Sequence, residues 1–221
     1  ANATPALQAA ANATTTIPIL GTSVTEYGVA LGINNFSGTV GGNISGTSDL
    51  APLTEQGDMI LELFPEAKNI GLIYCSAEAN SEYQIKVIEE YLTGKGLKCT
   101  RYSFSDSNDI SAVTTTAASQ SDVIYIPTDN TAASCTETIG NIVREKKVPV
   151  VAGEQGIAAG CGVATLSISY YDLGVKTGEM AAKILKGEAN ISEMPIEYAN
   201  ATKMYNETFC KELGVTIPDG Y

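Results

Sequence analysis

The sequence has no histidine and no tryptophan among its 221 residues. Histidine is the side chain most often used for proton transfer near neutral pH, and it is the commonest metal ligand. Its absence excludes a Ser-His-Asp triad, a Cys-His nucleophile pair and a zinc site of the HExxH type. The GxxxxGK[ST] motif of nucleotide hydrolases and the GxSxG motif of esterases are absent as well. Several common enzyme classes are therefore excluded or without support.

Basic residues are scarce, since 13 Lys and Arg stand against 25 Asp and Glu, for a formal net charge of −12 and a pI near 4.4. Binding to nucleic acid or to anionic lipid depends on clustered Lys and Arg. We therefore expect no nucleic-acid partner and no binding to an anionic membrane surface. No run of apolar residues approaches the roughly 18 that a membrane helix needs.

Cysteine motifs are absent too, because the five cysteines are widely scattered and form no CxxC pair. This spacing indicates neither a zinc ribbon nor a dense disulfide scaffold, and we expect no metal and no cofactor. Cys75 ends one expected strand and Cys99 begins the next, which places them near opposite ends of a parallel sheet. That separation exceeds the ~7 Å between Cα atoms that a disulfide tolerates. The remaining cysteines are Cys135, Cys161 and Cys210.

From Asp49 onward, apolar strands alternate with amphipathic helices at the pace of βα units. Strands are predicted at 69–75, 97–104, 122–127, 148–153 and 162–169. Helices are predicted over about 52–64, which Asp49 can cap, over 81–96 and near 109–120. Strands that are short and apolar on both faces, such as 122–127, are typical of a parallel sheet covered on both sides. The fold class is therefore α/β, built as a three-layer α/β/α sandwich.

The flanking segments give further elements. A helix is predicted from Thr4, with Thr4 as its N-cap and Pro5 at its first position. Residues 21–46 are rich in Gly, Ser, Thr and Asn and indicate loops around one short strand near 43–47. A helix is predicted over 131–146, another over 170–187, a strand over 195–199 and a last helix over 206–214.

Small polar residues follow several of the expected strands, in the loops 76–81, 127–130 and 153–156. In an open parallel sheet these carboxyl ends form the ligand crevice, and helix N-termini there offer free N–H groups to an anion. Asn80, Ser81 and Thr128 could hold a carboxylate. The alternative is ordinary helix capping, which such residues perform in most α/β folds.

Two carboxylates in the same loops allow two interpretations. Asp129 has no basic neighbour in sequence, so it would either meet a ligand ammonium or cap the helix that follows. Glu154 allows the same interpretations, with a solvated loop slightly favoured. Among the aromatic residues, Tyr74 and Tyr170 are the candidates for walls around a flat apolar ligand.

These segments together resemble a known family. The series DLAPLTEQ, NIGLIYCSAEANSE, DVIYIPTDNTAAS, VPVVAGE and YYDLGVKTGEMAAKILKGE is similar to the substrate-binding proteins of ABC transporters with the type I periplasmic-binding fold. The similarity covers nearly the whole chain and points to the branch linked to aromatic amino acid uptake. It implies two α/β lobes joined by a three-strand hinge and closing over a small ligand, in a lipoprotein at the cell surface or in the periplasm.

The resemblance also implies a domain division. The first lobe would comprise residues 1–49 and 170–195, and the second would comprise 50–169 and 196–221. Members of the family normally begin with further βα units before the TPA loop at residues 4–6. We therefore expect the first lobe to be incomplete and the sequence to be truncated at its N-terminus.

Site residues follow from the same resemblance, position by position. The first-lobe contacts would be Thr4, Ala6, Ser23, Thr25 and Glu26. The second-lobe and hinge contacts would be Asn80, Ser81, Thr128, Asp129, Asn130, Glu154 and Tyr170, in addition to the ring of Tyr74. The family often has Asp-Pro where this chain has Glu26-Tyr27.

The expected function is capture of a small amphipathic solute, an aromatic or large apolar amino acid, by a protein that is not an enzyme. Its partners would be that ligand and the membrane permease of an ABC importer. One alternative is the ligand-sensing domain of a receptor. Another is an enzyme that uses carboxylates such as Asp129 and Glu154 as acid and base.

Overall fold

A computed structural model describes residues 1–221, which divide into two compact units. Unit 1 comprises residues 1–50 and 168–200, and unit 2 comprises residues 51–167 and 201–221. The chain therefore passes from one unit to the other three times. The sequence predicted that residues 196–200 belong to the second lobe. In the structure they belong to unit 1, because the strand Glu197–Tyr198 pairs with a strand of unit 1.

The helices and strands alternate along the chain. In order they are α1 (Thr4–Ala13), β1 (Ile19–Val24), α2 (Tyr27–Leu31), β2 (Ile44–Ser48), α3 (Leu53–Leu63), β3 (Asn69–Cys75), α4 (Ala79–Gly94), β4 (Lys98–Phe104), α5 (Ile110–Gln120), β5 (Val123–Ile126), α6 (Asn130–Ala133), α7 (Thr136–Lys146), β6 (Val150–Ala152), α8 (Gln155–Cys161), β7 (Ala164–Ile168), α9 (Tyr170–Leu185), a 3-10 helix (Ile191–Glu193), β8 (Glu197–Tyr198), β9 (Ala201–Tyr205) and α10 (Glu207–Leu213).

Unit 1 is built on a parallel sheet with the strand order β1-β2-β8. Its apolar core consists of Leu7, Ile19, Val24, Tyr27, Ala30, Ile44 and Ile196. The first residues extend the sheet, since the N–H of Ala3 donates to Thr22 O at 3.0 Å and the N–H of Thr22 donates to Ala1 O at 2.8 Å. Helix α9 packs on β1 and β2.

Unit 1 differs from the sequence prediction at two helices. The N-cap of α1 is Ala3, with a φ of 68°, and Thr4 is already the first helical residue. The segment predicted as loop contains α2, which begins after Glu26 and ends at Gly32 in the left-handed conformation. A helix of five residues carries too little periodicity to be recognised in a segment rich in Gly, Ser and Asn.

Unit 2 is built on a six-stranded sheet with the order β4-β3-β5-β6-β7-β9. Strands β3 to β7 pair in parallel. The chain moves outward from β3 to β4 and then returns past β3 to β5, so the direction of winding reverses. Because crossovers between parallel strands are right-handed, α4 covers one face of the sheet and α5, α7 and α8 cover the other. This is the expected three-layer α/β/α sandwich.

Unit 2 also departs from the prediction in three places. The helix predicted over 131–146 is two helices, α6 and α7, interrupted at Ser134 and Cys135. Asp49 does not cap α3, whose N-cap is Pro52. Strand β9 was not predicted, because the alternation expected of a half-buried strand is weak in ATKMY.

The register of β3 and β4 separates the first two cysteines. Cys99 lies opposite Ile70, and Cys75 lies opposite Phe104, so the two thiols are at opposite ends of the strand pair. All five cysteines are free thiols. None of the helices combines the length and apolar character that crossing a membrane requires.

Two glycines give a matched test of the packing in unit 1. A Cβ on Gly46 would lie 2.1 Å from Gly21 O and 2.4 Å from Tyr27 Oη, whereas a Cβ on Gly178 in α9 would meet nothing within 4 Å. We expect Gly46→Ala to lower the free energy of unfolding by about 1–3 kcal/mol. Gly178→Ala should leave it unchanged or raise it by up to about 1 kcal/mol, because alanine favours helix. Denaturant melts of both variants check this, and a Gly46→Ala variant as stable as the parent would contradict the packing described here.

Candidate functional site

The carboxyl ends of β3 and β5 form a switch point in the sheet of unit 2. The two strands are neighbours, yet the chain leaves β3 toward α4 on one face and leaves β5 toward α6 and α7 on the other. The loops that follow them must therefore separate and leave a crevice between them. Ligands of open α/β sheets bind at such a point. The predicted residues Asn80, Ser81, Thr128, Asp129 and Asn130 all lie at this edge.

A residue that the sequence analysis did not select, Glu78, joins the two loops. It precedes α4, and its carboxylate accepts the N–H of Asn130 at 3.0 Å and the N–H of Thr131 at 2.9 Å, which belong to the first turn of α6. It also accepts the amide of Asn130 at 2.6 Å and the hydroxyl of Thr131 at 2.7 Å. Glu78 therefore caps a helix that begins 52 residues later.

The charge on Glu78 is stabilised by these contacts. Its side chain is buried, with 8% exposed. Burial alone would raise the pKa of this carboxyl, but the hydrogen bonds from Asn130 and Thr131 outweigh burial and hold the pKa below its usual value. Glu78 is therefore an ionised buried carboxylate at neutral pH.

Asp129 completes the same helix cap. It is 1% exposed, and its carboxylate accepts the N–H of Ala132 at 2.8 Å and the N–H of Cys75 at 2.7 Å. The hydroxyl of Ser81 is a third hydrogen-bond partner. Burial, followed by the nearby charge of Glu78, raises the pKa of Asp129. These contacts match the capping interpretation of Asp129, because both oxygens already have donors within the protein.

Thr128 is held through its backbone by two amide side chains. Gln84 accepts the N–H of Thr128 at 3.1 Å and donates to Thr128 O at 3.0 Å, and Asn80 donates to the same carbonyl at 3.0 Å. Both amides lie in the first two turns of α4. The hydroxyl of Thr128 lies 3.3 Å from Gly153 O. This arrangement fixes the β5 loop against α4, with Thr128 partly exposed.

Glu154 is buried rather than solvated, which corrects the interpretation favoured from the sequence. It is the N-cap of α8, where its carboxylate accepts the N–H of Gly156 at 2.6 Å and that of Ile157. The side chain is 8% exposed. The first N–H groups of a helix have no partner within the helix, and the Glu154 carboxylate satisfies two of them.

Tyr74 lies apart from this crevice. Its hydroxyl takes part in hydrogen bonds with Arg101 and Glu82, and burial raises its pKa. Arg101 in turn donates to Glu89 at 2.8 Å and to Glu82 at 2.6 Å. The structure therefore places Tyr74 in an ion-pair network between β4 and α4, while Cys75, the next residue, faces the Asp129 side.

The predicted residues of unit 1 lie around the ends of β1 and β2. Ser23 has a φ of 55° at an irregularity of β1, and Thr25 is buried, with its carbonyl accepting the Ser48 hydroxyl at 2.8 Å. Glu26 caps α2 by accepting the N–H of Val29. Thr4 is buried, Ala6 is exposed, and Tyr170 lies 3.3 Å from a carboxylate oxygen of Asp49 through its hydroxyl.

Sequence reasoning missed Glu78, Gln84 and Gln56, which are all buried and hydrogen bonded to loop backbone. Gln56 donates to Gly153 O at 3.1 Å and to Leu166 O at 2.8 Å, and it accepts the hydroxyl of Tyr125. One signal was available for Gln84, which lies one residue before Ile85 and one turn before Ile88 on the buried side of α4. Their partners in other segments lie 44 to 110 positions away, so the local sequence does not indicate these contacts.

The groups at this edge of the sheet can form hydrogen bonds with a ligand. No group of three or more Cys, Asp or Glu side chains is arranged to hold a metal ion. The carboxylates of Asp129 and Glu154 are each occupied by backbone donors. Small polar groups and loop backbone are what this edge offers to a ligand.

Comparison with known proteins identifies the family. A model of the family described as ABC transporter substrate binding protein matches residues 1–220. The chain belongs to this family. The recognition made from the sequence is therefore confirmed.

Two solved structures are similar to this chain over 99% of its length. One is an ABC domain in complex with L-Trp from Streptococcus pneumonia, with 32% identity, a TM-score of 0.92 and 74% of that chain covered. The other is a ligand-free, open substrate binding protein with adhesive properties from Clostridium difficile, with 37% identity, a TM-score of 0.74 and 74% of that chain covered.

A curated relative is the tyrosine-binding protein of Clostridioides difficile, which is 33% identical over 211 residues, or 95% of this chain. The chain spans 61% of the length of that relative. A glucose-galactose binding protein of Geobacillus stearothermophilus, at 12% identity and a TM-score of 0.57, shares the fold alone. The type I periplasmic-binding architecture expected from the sequence is thus confirmed.

Glu78→Gln tests the cap that joins the two loops. An amide cannot accept from all four donors, so we expect the variant to lose about 2–3 kcal/mol of unfolding free energy at pH 7. Because the folded pKa of Glu78 is lowered, its contribution is present above the ordinary value of 4.5 and is lost as the pH falls through the folded value. The difference between parent and variant should therefore shrink in acid. If the difference in unfolding free energy between parent and variant did not change with pH, the charge of Glu78 would not contribute to stability.

Asp129→Ala separates the two interpretations of this carboxylate. If Asp129 is a cap, the variant loses about 1 kcal/mol of stability and keeps its ligand affinity within about threefold, and Asp129→Asn is milder still. If Asp129 binds a ligand ammonium, Asp129→Ala weakens binding by about 10- to 100-fold. From the contacts of both oxygens we expect the first result. Thermal melts and calorimetric titrations of the two variants give the answer.

Proposed function

We propose that this protein is the extracytoplasmic solute-binding component of an ABC importer and that its ligand is a free aromatic amino acid. The observation that carries the proposal is the match over 99% of the chain to a structure solved with L-Trp, at 32% identity and a TM-score of 0.92. The curated relative named for tyrosine, at 33% identity, supports the same ligand class.

The proposed contacts in unit 2 lie at the switch point between β3 and β5. Asn80, Ser81, Thr128 and Asn130 are the proposed polar contacts, and Glu78, Gln84 and Asp129 hold the two loops in place around them. In unit 1 the corresponding proposals are Thr4, Ala6, Ser23, Thr25, Glu26 and Tyr170. The domain division made from the sequence, into two α/β lobes, is part of the proposal.

Binding without catalysis fits the state of the buried carboxylates. An acid–base mechanism needs a carboxylate that reaches the substrate and exchanges protons with it. The oxygens of Asp129 and Glu154 are engaged by backbone N–H groups, so they are poorly placed for that role. We therefore propose that the protein is not an enzyme.

The partner and the location follow from the family. An importer of this kind contains a membrane permease that receives the ligand from its binding protein, and we propose such a permease as the partner. The proposed location is outside the cytoplasmic membrane, either in the periplasm or at the cell surface as a lipoprotein.

A calorimetric panel tests the ligand class. We expect L-tyrosine, L-tryptophan and L-phenylalanine to bind with a dissociation constant of about 1 µM or tighter, equivalent to about −8 kcal/mol. L-Alanine and L-glutamate should bind at least about 100-fold more weakly, because neither buries an aromatic ring. D-Galactose is the control for the sugar-binding proteins that share the fold. Tight binding of the sugar, with none of the aromatic amino acids, would overturn the proposal.

A further inference from the structure

Asn80 has one hydrogen-bonding atom that the protein leaves unused. The side chain is 3% exposed, and its Nδ2 group donates to Thr128 O at 3.0 Å and lies 3.3 Å from both Glu78 Oε2 and Ser81 Oγ. Its Oδ1 atom is buried and has no hydrogen-bond partner. A buried polar atom without a partner costs about 1–3 kcal/mol, so a missing donor is expected at this position.

The orientation of this amide is fixed by its surroundings. Exchanging the nitrogen and oxygen of Asn80 would place an acceptor against the carbonyl of Thr128 and the carboxylate of Glu78, which are acceptors themselves. The Nδ2 group therefore stays where it is, and its two hydrogens are committed. What Asn80 can still offer to a ligand is an acceptor.

The charge at this position favours a cation. Glu78 is ionised and lies next to the Asn80 amide, and no Lys or Arg forms an ion pair with it. The N-terminus of α4 contributes only about half a positive charge, and the donors of α6 are already bound to Glu78. A full negative charge outweighs that dipole, so a positively charged donor is more favourable here than a carboxylate.

We infer that Oδ1 of Asn80 accepts a hydrogen bond from the α-ammonium group of the bound amino acid, and that the ligand carboxylate is held by other residues. This inference rests on the proposed function, and it reverses the role expected from the sequence, in which Asn80 and Ser81 hold the carboxylate. It also moves the contact with the ammonium from Asp129, whose oxygens have donors, to Asn80, whose oxygen has none.

Three ligands separate the two roles of Asn80. L-Tyrosine carries both charged groups, tyramine lacks the carboxylate, and 3-(4-hydroxyphenyl)propionate lacks the ammonium. We expect Asn80→Ala to weaken the binding of L-tyrosine and tyramine by about 10- to 100-fold and that of the propionate by less than about threefold. If Asn80 donates to the carboxylate, the propionate and L-tyrosine lose affinity and tyramine does not. That pattern, or an equal affinity of variant and parent for all three, would overturn the inference.

Asn80→Asp provides a second variant that keeps the size of the side chain and an acceptor oxygen. It should retain tyramine binding better than Asn80→Ala does, because it keeps the acceptor, and it should weaken propionate binding, because it adds a negative charge. The new oxygen faces Thr128 O and the Glu78 carboxylate, so the melting temperature of this variant is measured first. An Asp variant that melts like the parent and still loses tyramine as fully as the Ala variant counts against the inference. Thr114→Val is the matched control, since Thr114 is a fully buried residue of α5 whose hydroxyl also has no partner. It should bind all three ligands like the parent.

Binding by the parent protein separates a failure of the proposed function from a failure of the inference about Asn80. Parent protein that binds none of L-tyrosine, L-tryptophan and L-phenylalanine overturns the proposed function and this inference with it. Parent protein that binds L-tyrosine, with variants that follow the carboxylate, overturns only the inference. Thermal melts of each variant confirm that it is folded before its affinities are compared.

Discussion

The arrangement of the candidate site depends on one interaction, the capping of α6 by the carboxylate of Glu78. The residue belongs to the loop after β3, whereas the N–H groups it accepts belong to the first turn of α6, which follows β5. The switch in winding direction sends these loops to opposite faces of the sheet, so nothing in the βα units themselves holds them together. The hydrogen bonds of Glu78, with that of Asp129 to Cys75 and those of Gln84 and Asn80 to Thr128, supply that connection.

The same constraint explains why buried carboxylates gather at this edge without cationic partners. Helix N-termini present several free N–H groups within a few ångströms, and these can offset the cost of burying a charge. They cannot neutralise it completely. An ionised Glu78 beside an unused acceptor on Asn80 leaves the edge suited to a positively charged donor. A binding protein can use such a position to favour a free amino acid over its deaminated analogue, since the unpaired acceptor penalises a ligand that lacks the donor.

Much of the fold could be predicted from the pattern of residues. The strand NIGLIYC was predicted with its observed bounds, and α3, α5 and α9 were predicted to within two residues. Long periodic segments and apolar strands between polar loops carry this information locally. The misses were short or divided elements: α2 has five residues, α6 has four, and β9 lies near the end of the chain. Short segments do not display a full period, and tertiary contacts decide their conformation.

The candidate site divides in the same way. The sequence by itself determined that polar residues would follow β3, β5 and β6, and hence that Asn80, Ser81, Thr128 and Asp129 would share one edge of a parallel sheet. Only the tertiary structure decided the role of each atom. Asp129 became a cap with two backbone donors, and Glu78 and Gln84 became the residues that hold the loops. Asn80 kept one unused oxygen. The reason is that a hydrogen bond is assigned by distance and direction between groups far apart in sequence, whereas periodicity records only which face of a strand or helix is buried.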